Sequence, residues 1–115
     1  MSAITIAQLE RWTQGKFYAD TPSVLSFSGV QIDSRRIQPG ELFFALPGSL
    51  SDGHHFLSHA KKAGAVAAVV QEGAFYSQNL PANFPLWVVD DSFKALESLA
   101  RGWLRHLATT VIGIT

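Results

Sequence analysis

Three segments of the chain carry apolar residues at the three- and four-residue spacing of a helix that buries one face. The first follows Thr5 and Gln8, which have the spacing of a capping box, where each side chain accepts from the other residue's backbone N–H. We therefore predict a helix that begins after Thr5. We expect it to end at Gly15 in the left-handed conformation common at helix ends.

The second helix is predicted over 54–63, with Asp52 as its cap and Gly64 as its stop. The third begins after Asp90 or Asp91 and has the longest apolar pattern in the chain. Its predicted core-facing stripe consists of Phe93, Leu96, Ala100, Trp103, Leu104 and Leu107.

Between the helices, apolar residues alternate or form short continuous runs, which is typical of β-strands. After Gly29 the apolar positions change parity, so we expect a bulge or bend there. The predicted strands lie at 16–19, 24–32, 42–46, 65–70, 86–89 and 111–115. The strand–helix–strand units at about 42–70 and 86–115 favour parallel pairing, because such crossovers are right-handed. The predicted fold class is α/β, with a small mixed, largely parallel sheet covered by helices.

Composition narrows the possible functions. The 115 residues suffice for one domain over 1–115, and 47% apolar content is typical of a packed globule. Nine basic and nine acidic side chains give zero formal charge, which disfavours nucleic acid or an anionic membrane surface as partner. The lack of cysteine excludes a disulfide framework, a thiolate zinc site and a cysteine nucleophile. We find no apolar run of about 18 residues and no secretory signal pattern.

The chain ends in an apolar, β-branched run, Val111-Ile112-Gly113-Ile114-Thr115, with no polar tail. Natural domains rarely finish on a bare apolar strand, because its open edge would pair with other chains. We therefore expect the chain to be a fragment of a longer protein.

Residue types that could hold a ligand are concentrated over 32–56. Ser34 supplies a hydroxyl at a strand end, and Arg35 or Arg36 could present a guanidinium to a phosphate. The loop 48–53 brings backbone amides and hydroxyls to the carboxyl end of a predicted strand, next to a helix start. Open α/β sheets usually hold their ligands at such an edge.

Each candidate also has a structural interpretation. Asp33 and Arg35 could pair with each other inside a turn. His54 and His55 point to different sides of a helix, so they cannot share a metal ion. A pair of His55 and His59 could reach one metal, but no third ligand is near, and a solvated helix face is the simpler interpretation.

The aromatic residues Phe43, Phe44 and Phe56 are expected in the core, with Phe44 the one able to line a pocket. The sequence contains no nucleophile elbow, complete phosphate loop or Ser–His–Asp arrangement. The residues by themselves therefore favour binding over catalysis.

These motifs, in this order, resemble the Mur ligases, the ATP-dependent enzymes that extend the peptide of the peptidoglycan precursor. The resemblance spans about residues 6–115. It rests on Asp33-Ser34-Arg35, the Pro-Gly-Glu-Leu-Phe-Phe-Ala-Leu-Pro-Gly run at 39–48, Asp52-Gly53-His54 with Phe56, and Val88-Val89-Asp90-Asp91. It implies the fold of the family's N-terminal domain. In the family, a strand like 111–115 leads into a Gly-rich loop that ends in Gly-Lys-Thr and holds ATP.

The resemblance implies that this domain holds the UDP part of UDP-N-acetylmuramoyl-peptide. By position, the expected contacts are Ile32, Ser34, Arg35, Ser49, Leu50 and Ser51. It implies no catalytic residue and no metal ligand in this fragment, which alone would be inactive. ATP and Mg2+ would serve the full-length ligase, which activates the precursor's carboxylate as an acyl phosphate for attack by an amine. A cytoplasmic monomer without nucleic-acid or membrane partners is also implied.

The sequence leaves three alternatives within this family. The sequences Thr13-Gln14-Gly15 and Val89-Asp90-Asp91, together with Arg105, are closer to the ligase that adds D-alanyl-D-alanine to the tripeptide precursor. The alternative is the ligase that adds diaminopimelate or lysine to the dipeptide precursor. A non-enzymatic interaction module of the same fold is the third possibility.

Overall fold

The computed structural model describes residues 4–18, 26–48, 52–74 and 80–112, with side chains of the last helix described as far as residue 105. These described residues form seven short strands, three α-helices and two 3-10 turns. They are β1 (Ile4–Thr5), α1 (Ile6–Thr13), β2 (Lys16–Tyr18), β3 (Ser26–Phe27), β4 (Val30–Gln31), the 3-10 turn Ser34–Arg36, β5 (Leu42–Phe44), the 3-10 turn Gly53–Phe56, α2 (Leu57–Ala63), β6 (Ala67–Gln71), β7 (Leu86–Val89) and α3 (Ser92–Ile112).

Five strands form one sheet in the order β2-β7-β6-β5-β4. The pairs β4–β5, β5–β6 and β6–β7 are parallel, and only β2 runs antiparallel, against β7. In the register of the central strands, Phe43 lies opposite Ala68, and Ala68 lies opposite Leu86. The predicted fold class, a mixed and largely parallel sheet in an α/β domain, is confirmed.

Both faces of this sheet are buried, because successive residues of a strand point to opposite sides. On one side Phe43, Ala68 and Val70 pack with Leu57 and Ala60 of α2. The other side packs against α1 and α3 through Phe44, Val69, Trp87, Leu9 and Leu99, all buried. The central strands therefore read as continuous apolar runs instead of alternating ones.

The N-terminal helix starts as predicted. The Thr5 hydroxyl accepts from the Gln8 N–H at 3.2 Å, and the Gln8 side chain accepts from the Thr5 N–H at 3.0 Å. The expected end at Gly15 was wrong, since Gln14 takes the left-handed conformation with φ of 57°. Gly15 serves packing instead, because a Cβ atom there would lie 2.5 Å from Trp87 Nε1.

The parity change at Gly29 reflects a change of sheet. Before Gly29, β3 pairs antiparallel with β1 in a separate two-stranded sheet, and after it β4 joins the five-stranded sheet. The alternation predicted over 24–32 is thus two strands, and residues 24 and 25 lie outside the described residues.

Helix α2 is shorter than predicted, because the 3-10 turn Gly53–Phe56 takes up its first turn. The stop at Gly64 is confirmed, with φ of 114° in the left-handed region. Asp52 caps the 3-10 turn by accepting from the His54 N–H.

At the third helix, Asp91 Oδ1 accepts from the Lys94 N–H at 3.1 Å, which confirms Asp91 as the cap.

The predicted buried stripe of α3 was only partly right. Leu96 and Trp103 pack against the core, but Ala100 is exposed and Phe93 and Leu104 are 55% and 65% exposed, whereas Ala95 and Leu99 are buried and Gly102 packs on Trp12. The side chain of Leu107 lies outside the described residues. The helix turns its small residues inward, because they allow close approach to α1 and the sheet. A pattern weighted by hydrophobicity therefore selects the neighbouring face.

The helix also continues through Ile112, so the strand predicted from residue 111 is wrong at 111 and 112. Residues 113–115 lie outside the described residues. Among the described residues, no helix combines the length and apolar character that a bilayer span requires.

Candidate functional site

A cleft of about 580 Å³ opens at the carboxyl ends of β4 and β5. Parallel strands end at the same edge of a sheet, so the segments that follow them converge there. The cleft is lined by Ile32, Asp33, Ser34, Arg35, Phe43, Leu46, Gly53, Phe56 and His59. Three of the predicted contacts, at positions 32, 34 and 35, therefore lie in one cavity.

The first wall of the cleft is built on Asp33. Its Oδ1 accepts from the Arg35 N–H at 2.9 Å and so caps the 3-10 turn that places Ser34 and Arg35. The Arg35 guanidinium also returns to this carboxylate, with Nε 3.1 Å from Oδ1 and Nη2 3.1 Å from Oδ2. These hydrogen bonds from Arg35 lower the pKa of Asp33 below its ordinary value.

Local pairing of Asp33 and Arg35, which the sequence left as an alternative, is thus present. It does not remove Arg35 from the cleft, because the side chain is 81% exposed at the rim. A guanidinium has five N–H donors, so one carboxylate does not exhaust it.

Ser34 is buried behind this wall and bonds across the cleft to α2. Its Oγ lies 2.9 Å from Nδ1 of His59, a residue 25 positions later. The sequence assigned His59 to a solvated helix face, and no local pattern links it to Ser34. The side chain is indeed exposed, but it is exposed into the cleft.

The Asp52-Gly53-His54 motif supports the second wall. His54 is 1% exposed, and its Nδ1 lies 2.7 Å from Asp52 Oδ1. Its Nε2 accepts from the Gln71 N–H at 2.9 Å, which ties the motif to the end of β6. A Cβ atom on Gly53 would lie 2.8 Å from the Leu46 N, so only glycine fits beside the end of β5.

Two opposing effects act on the pKa of Asp52, the carboxylate of this motif. Burial raises the pKa of Asp52, but the hydrogen bonds from the backbone and side chain of His54 outweigh it. The net pKa lies below the ordinary value, so Asp52 is ionised at neutral pH.

The two histidine pairs do not form a catalytic triad. Both ring nitrogens of His54 are occupied, by Asp52 and Gln71, so this ring cannot serve Ser34. Within the described parts of the chain, no three His, Asp or Glu side chains are grouped closely enough to hold a metal ion.

The aromatic residues of the cleft differ from expectation. Phe44, the one expected to reach a pocket, is buried on the opposite face of the sheet, and Phe43 lines the cleft instead. Phe56 is 40% exposed at the opening and not in the core, and Ile32 is 52% exposed there. Both exposed side chains are apolar walls of the cleft.

The remaining predicted contacts, Ser49, Leu50 and Ser51, lie outside the described residues. They fall in the sequence between Gly48 and Asp52, so they join two segments that reach the cleft.

Comparison with known proteins identifies the family. A family model described as "Mur ligase family, catalytic domain" matches residues 26–108, most of the chain. The chain belongs to the Mur ligase family. The resemblance found in the sequence motifs is thus confirmed, and the matched range contains every residue of the cleft.

Several relatives of this Mur ligase chain are known. The UDP-N-acetylmuramoyl-tripeptide--D-alanyl-D-alanine ligase of Bacillus subtilis is 41% identical over 87 residues, 76% of this chain and 18% of that protein. The UDP-N-acetylmuramoyl-L-alanyl-D-glutamate--2,6-diaminopimelate ligase of Chlorobaculum tepidum is 40% identical over 92 residues, 76% of this chain and 17% of that protein. Among solved structures, MurF from Acinetobacter baumannii superposes with a TM-score of 0.77 at 27% identity, covering 95% of this chain and 23% of MurF.

The Mur ligase chain therefore spans about a fifth of the length of these relatives. Two ligases with different amine substrates match it almost equally well in sequence.

Proposed function

We propose that this chain is the N-terminal domain of a Mur ligase and binds the UDP part of UDP-N-acetylmuramoyl-tripeptide, to which the full-length enzyme joins D-alanyl-D-alanine. The observation that carries the proposal is the cleft at the carboxyl edge of β4 and β5, where Ile32, Ser34 and Arg35 come together. Its volume of about 580 Å³ lies within the ordinary range for small-molecule sites.

The lining of the cleft suits a nucleotide diphosphate. The exposed faces of Ile32 and Phe56 offer apolar surface to a flat base. Ser34 and Arg35 offer donors to phosphate oxygens. The chain as a whole has no net charge, so an anionic ligand would be held by a few placed groups and not by a basic surface.

By family resemblance, the proposed site also includes Ser49, Leu50 and Ser51, which lie in the sequence between the cleft residues Leu46 and Gly53. Hydroxyls and backbone amides of such a loop can bind phosphate. We assign them a contact with the nucleotide.

The complete reaction belongs to the full-length ligase. By family resemblance it uses ATP and Mg2+ to activate the precursor's carboxylate as an acyl phosphate, which an amine then attacks. We assign none of these steps to residues of this chain. We further propose that the enzyme is a cytoplasmic monomer that acts on UDP-N-acetylmuramoyl-peptide without nucleic-acid or membrane partners.

A second candidate is the ligase that adds diaminopimelate or lysine to the dipeptide precursor. Two observations favour it: the 40% identity to the Chlorobaculum tepidum enzyme, and 48% identity over 59 residues to a diaminopimelate ligase of Synechococcus elongatus. The solved MurF structures favour the D-alanyl-D-alanine ligase, because they cover 95% of the chain.

An assay of the full-length protein decides between them. We expect ATP-dependent joining of D-alanyl-D-alanine to the tripeptide precursor, and no joining of diaminopimelate or lysine to the dipeptide precursor. The reverse result would establish the second candidate. A reading frame that stops after Thr115 would support the non-enzymatic module, whereas a Gly-rich segment with Gly-Lys-Thr would support a ligase.

The role of Ser34 is tested in the same protein. Ser34→Ala should raise the KM for the nucleotide precursor about tenfold, the effect of losing one hydrogen bond to a charged group. The KM for ATP should change little. Equal changes in both constants would place Ser34 outside the precursor site.

A further inference from the structure

His59 reaches the cleft with one ring nitrogen that has no partner among the described residues. Its Nδ1 bonds to Oγ of the buried Ser34 at 2.9 Å, and its side chain lines the cavity. In the described part of the chain, Nε2 of this ring has no hydrogen-bond partner. Ser34 and His59 therefore present the hydroxyl of Ser34 and the Nε2 edge of the His59 ring to a ligand in the cleft.

The protonation state of His59 decides how many donors this pair can offer. In the neutral ring one hydrogen lies between Nδ1 and Oγ, so either Nε2–H or the Ser34 hydroxyl remains for a ligand, but not both. In the protonated ring Nδ1–H donates to Oγ, and Nε2–H and the Ser34 hydroxyl can both donate outward. Two outward donors, one of them charged, suit a phosphate.

The charges around the pair also favour an anion. The titratable residues nearest to it in the chain are Asp33, Arg35 and Arg36 at the 3-10 turn that holds Ser34, His55 on the 3-10 turn Gly53–Phe56, and Lys61 and Lys62 on α2. Asp33 is neutralised by Arg35, and Asp52 on the neighbouring loop is bonded to His54. The uncompensated charges are thus positive, and residues 46–51 contain no charged side chain.

We infer that His59 is a ligand residue of the cleft that binds a phosphate of the nucleotide together with Ser34, and that its protonation strengthens this binding. The inference rests on the proposed function for the presence of a nucleotide diphosphate. Ile32 and Phe56 then take the base, and the pair Ser34–His59 takes the phosphates. His55 is the matched control, because it is an exposed histidine on the neighbouring 3-10 turn Gly53–Phe56 that does not line the cleft.

The test measures the Kd of two probes for the chain at about pH 6 and about pH 8, on either side of the ordinary range of a histidine. The probes are UDP-N-acetylmuramoyl-tripeptide and uridine. Both phosphates of the first probe are esterified or bridged, so their charge is the same at both pH values. The variants are His59→Gln, His59→Asn, which can keep an acceptor near Ser34 without a charge, and His55→Gln.

We expect the nucleotide precursor to bind the unmodified chain and His55→Gln about tenfold more tightly at the lower pH, as one charged hydrogen bond predicts. This gain should disappear in His59→Gln and His59→Asn. Uridine should bind with the same Kd at both pH values in all four proteins. Thermal unfolding of the variants at both pH values shows whether each is folded.

Other outcomes overturn one claim or the other. If the precursor binds in the cleft and His59→Gln keeps the same pH dependence, the role of His59 is wrong and the proposed function stands. If uridine shows the same pH dependence as the precursor, His59 contacts the nucleoside and not a phosphate. If the precursor does not bind to the unmodified chain at either pH, the proposed function fails and the inference fails with it.

Discussion

Asp52 and His54 are joined by two hydrogen bonds, because Oδ1 of Asp52 accepts from the His54 backbone N–H at 2.9 Å and from its Nδ1 at 2.7 Å. The ring is then held from its other side, where Nε2 accepts from the Gln71 N–H. This requires the ring proton to lie on Nδ1. The pair thus joins the cleft wall to the end of β6.

His54→Ala should destabilise the fold by about 2–4 kcal/mol. The substitution leaves a cavity in place of a buried side chain and deprives the Gln71 N–H of its acceptor. Urea unfolding followed by circular dichroism measures the change, and His55→Ala, at an exposed position, should stay within about 0.5 kcal/mol of the unmodified chain. Equal effects of the two variants would mean that His54 is not part of the core.

The lowered pKa values of Asp33 and Asp52 predict a loss of folding stability in acid. Hydrogen bonds from Arg35 lower the pKa of Asp33, and those from His54 lower the pKa of Asp52 despite its burial, so both lie below the ordinary value of an aspartate. In this range the unfolded chain binds more protons than the folded one. The contribution of each group is fully present above about pH 5 and is lost as pH falls through about 4 and below.

Asp52→Asn isolates one of these groups, because the amide oxygen can still cap the 3-10 turn but carries no charge. We expect the unmodified chain to be more stable than Asp52→Asn at about pH 7, and the difference to shrink as pH falls to about 3. Urea unfolding at several pH values measures it. A difference that is constant across this range would contradict a lowered pKa of Asp52.

The packing of α3 on α1 predicts an unusual effect of alanine in a helix. Gly102→Ala would place a Cβ against the ring of Trp12. This ring also packs edge-on against the ring of Trp103, with 6.5 Å between the two ring centroids. Helix propensity alone would stabilise the variant by about 1 kcal/mol. We expect it instead to be destabilised by about 1–3 kcal/mol, as for overpacking elsewhere. A higher Tm than that of the unmodified chain would show that α1 and α3 pack less closely.

The buried face of α3 can be tested with two residues that a hydropathy pattern treats alike. Leu99 is buried and Phe93 is 55% exposed. Leu99→Ala should cost about 2–5 kcal/mol, whereas Phe93→Ala should cost less than about 1 kcal/mol. Chemical denaturation of both variants measures the two values. The opposite order would restore the stripe expected from the sequence.

Some parts of this fold can be predicted from the sequence and others cannot, because they depend on contacts at different distances along the chain. Caps such as Thr5 with Gln8, or Asp52 with His54, depend on neighbours in the chain, so the local pattern predicts them well. The parallel pairing of β5 with β6 follows from strand–helix–strand spacing and the handedness of crossovers. The parallel pairing of β6 with β7 does not, because the described residues contain no helix between these two strands. The buried face of α3 depends on how closely α1 approaches, and this is set by Gly102 and Trp12, far apart in the sequence.

The same distinction applies to the cleft. Ser34 and Arg35 could be proposed from the sequence because a turn after a strand marks them. His59 could not, because its contact with Ser34 spans 25 residues and exists only once the 3-10 turn Ser34–Arg36 and α2 are placed side by side. Phe43 and Phe44 are consecutive in β5, so the pleat of the strand points them to opposite faces of the sheet. Which of the two faces meets the cleft depends on how the whole sheet is assembled.

Titration of the isotope-labelled chain with UDP-N-acetylmuramoyl-tripeptide, followed through backbone amide shifts, tests the central claim most directly. We predict saturable shifts at Ile32, Ser34, Arg35 and His59, and smaller ones at the smaller cavity that Trp12, Asp91 and Ser98 help to line. Shifts confined to that second cavity, or no saturable shift in the segments 32–35 and 53–59, would contradict a nucleotide site in this cleft.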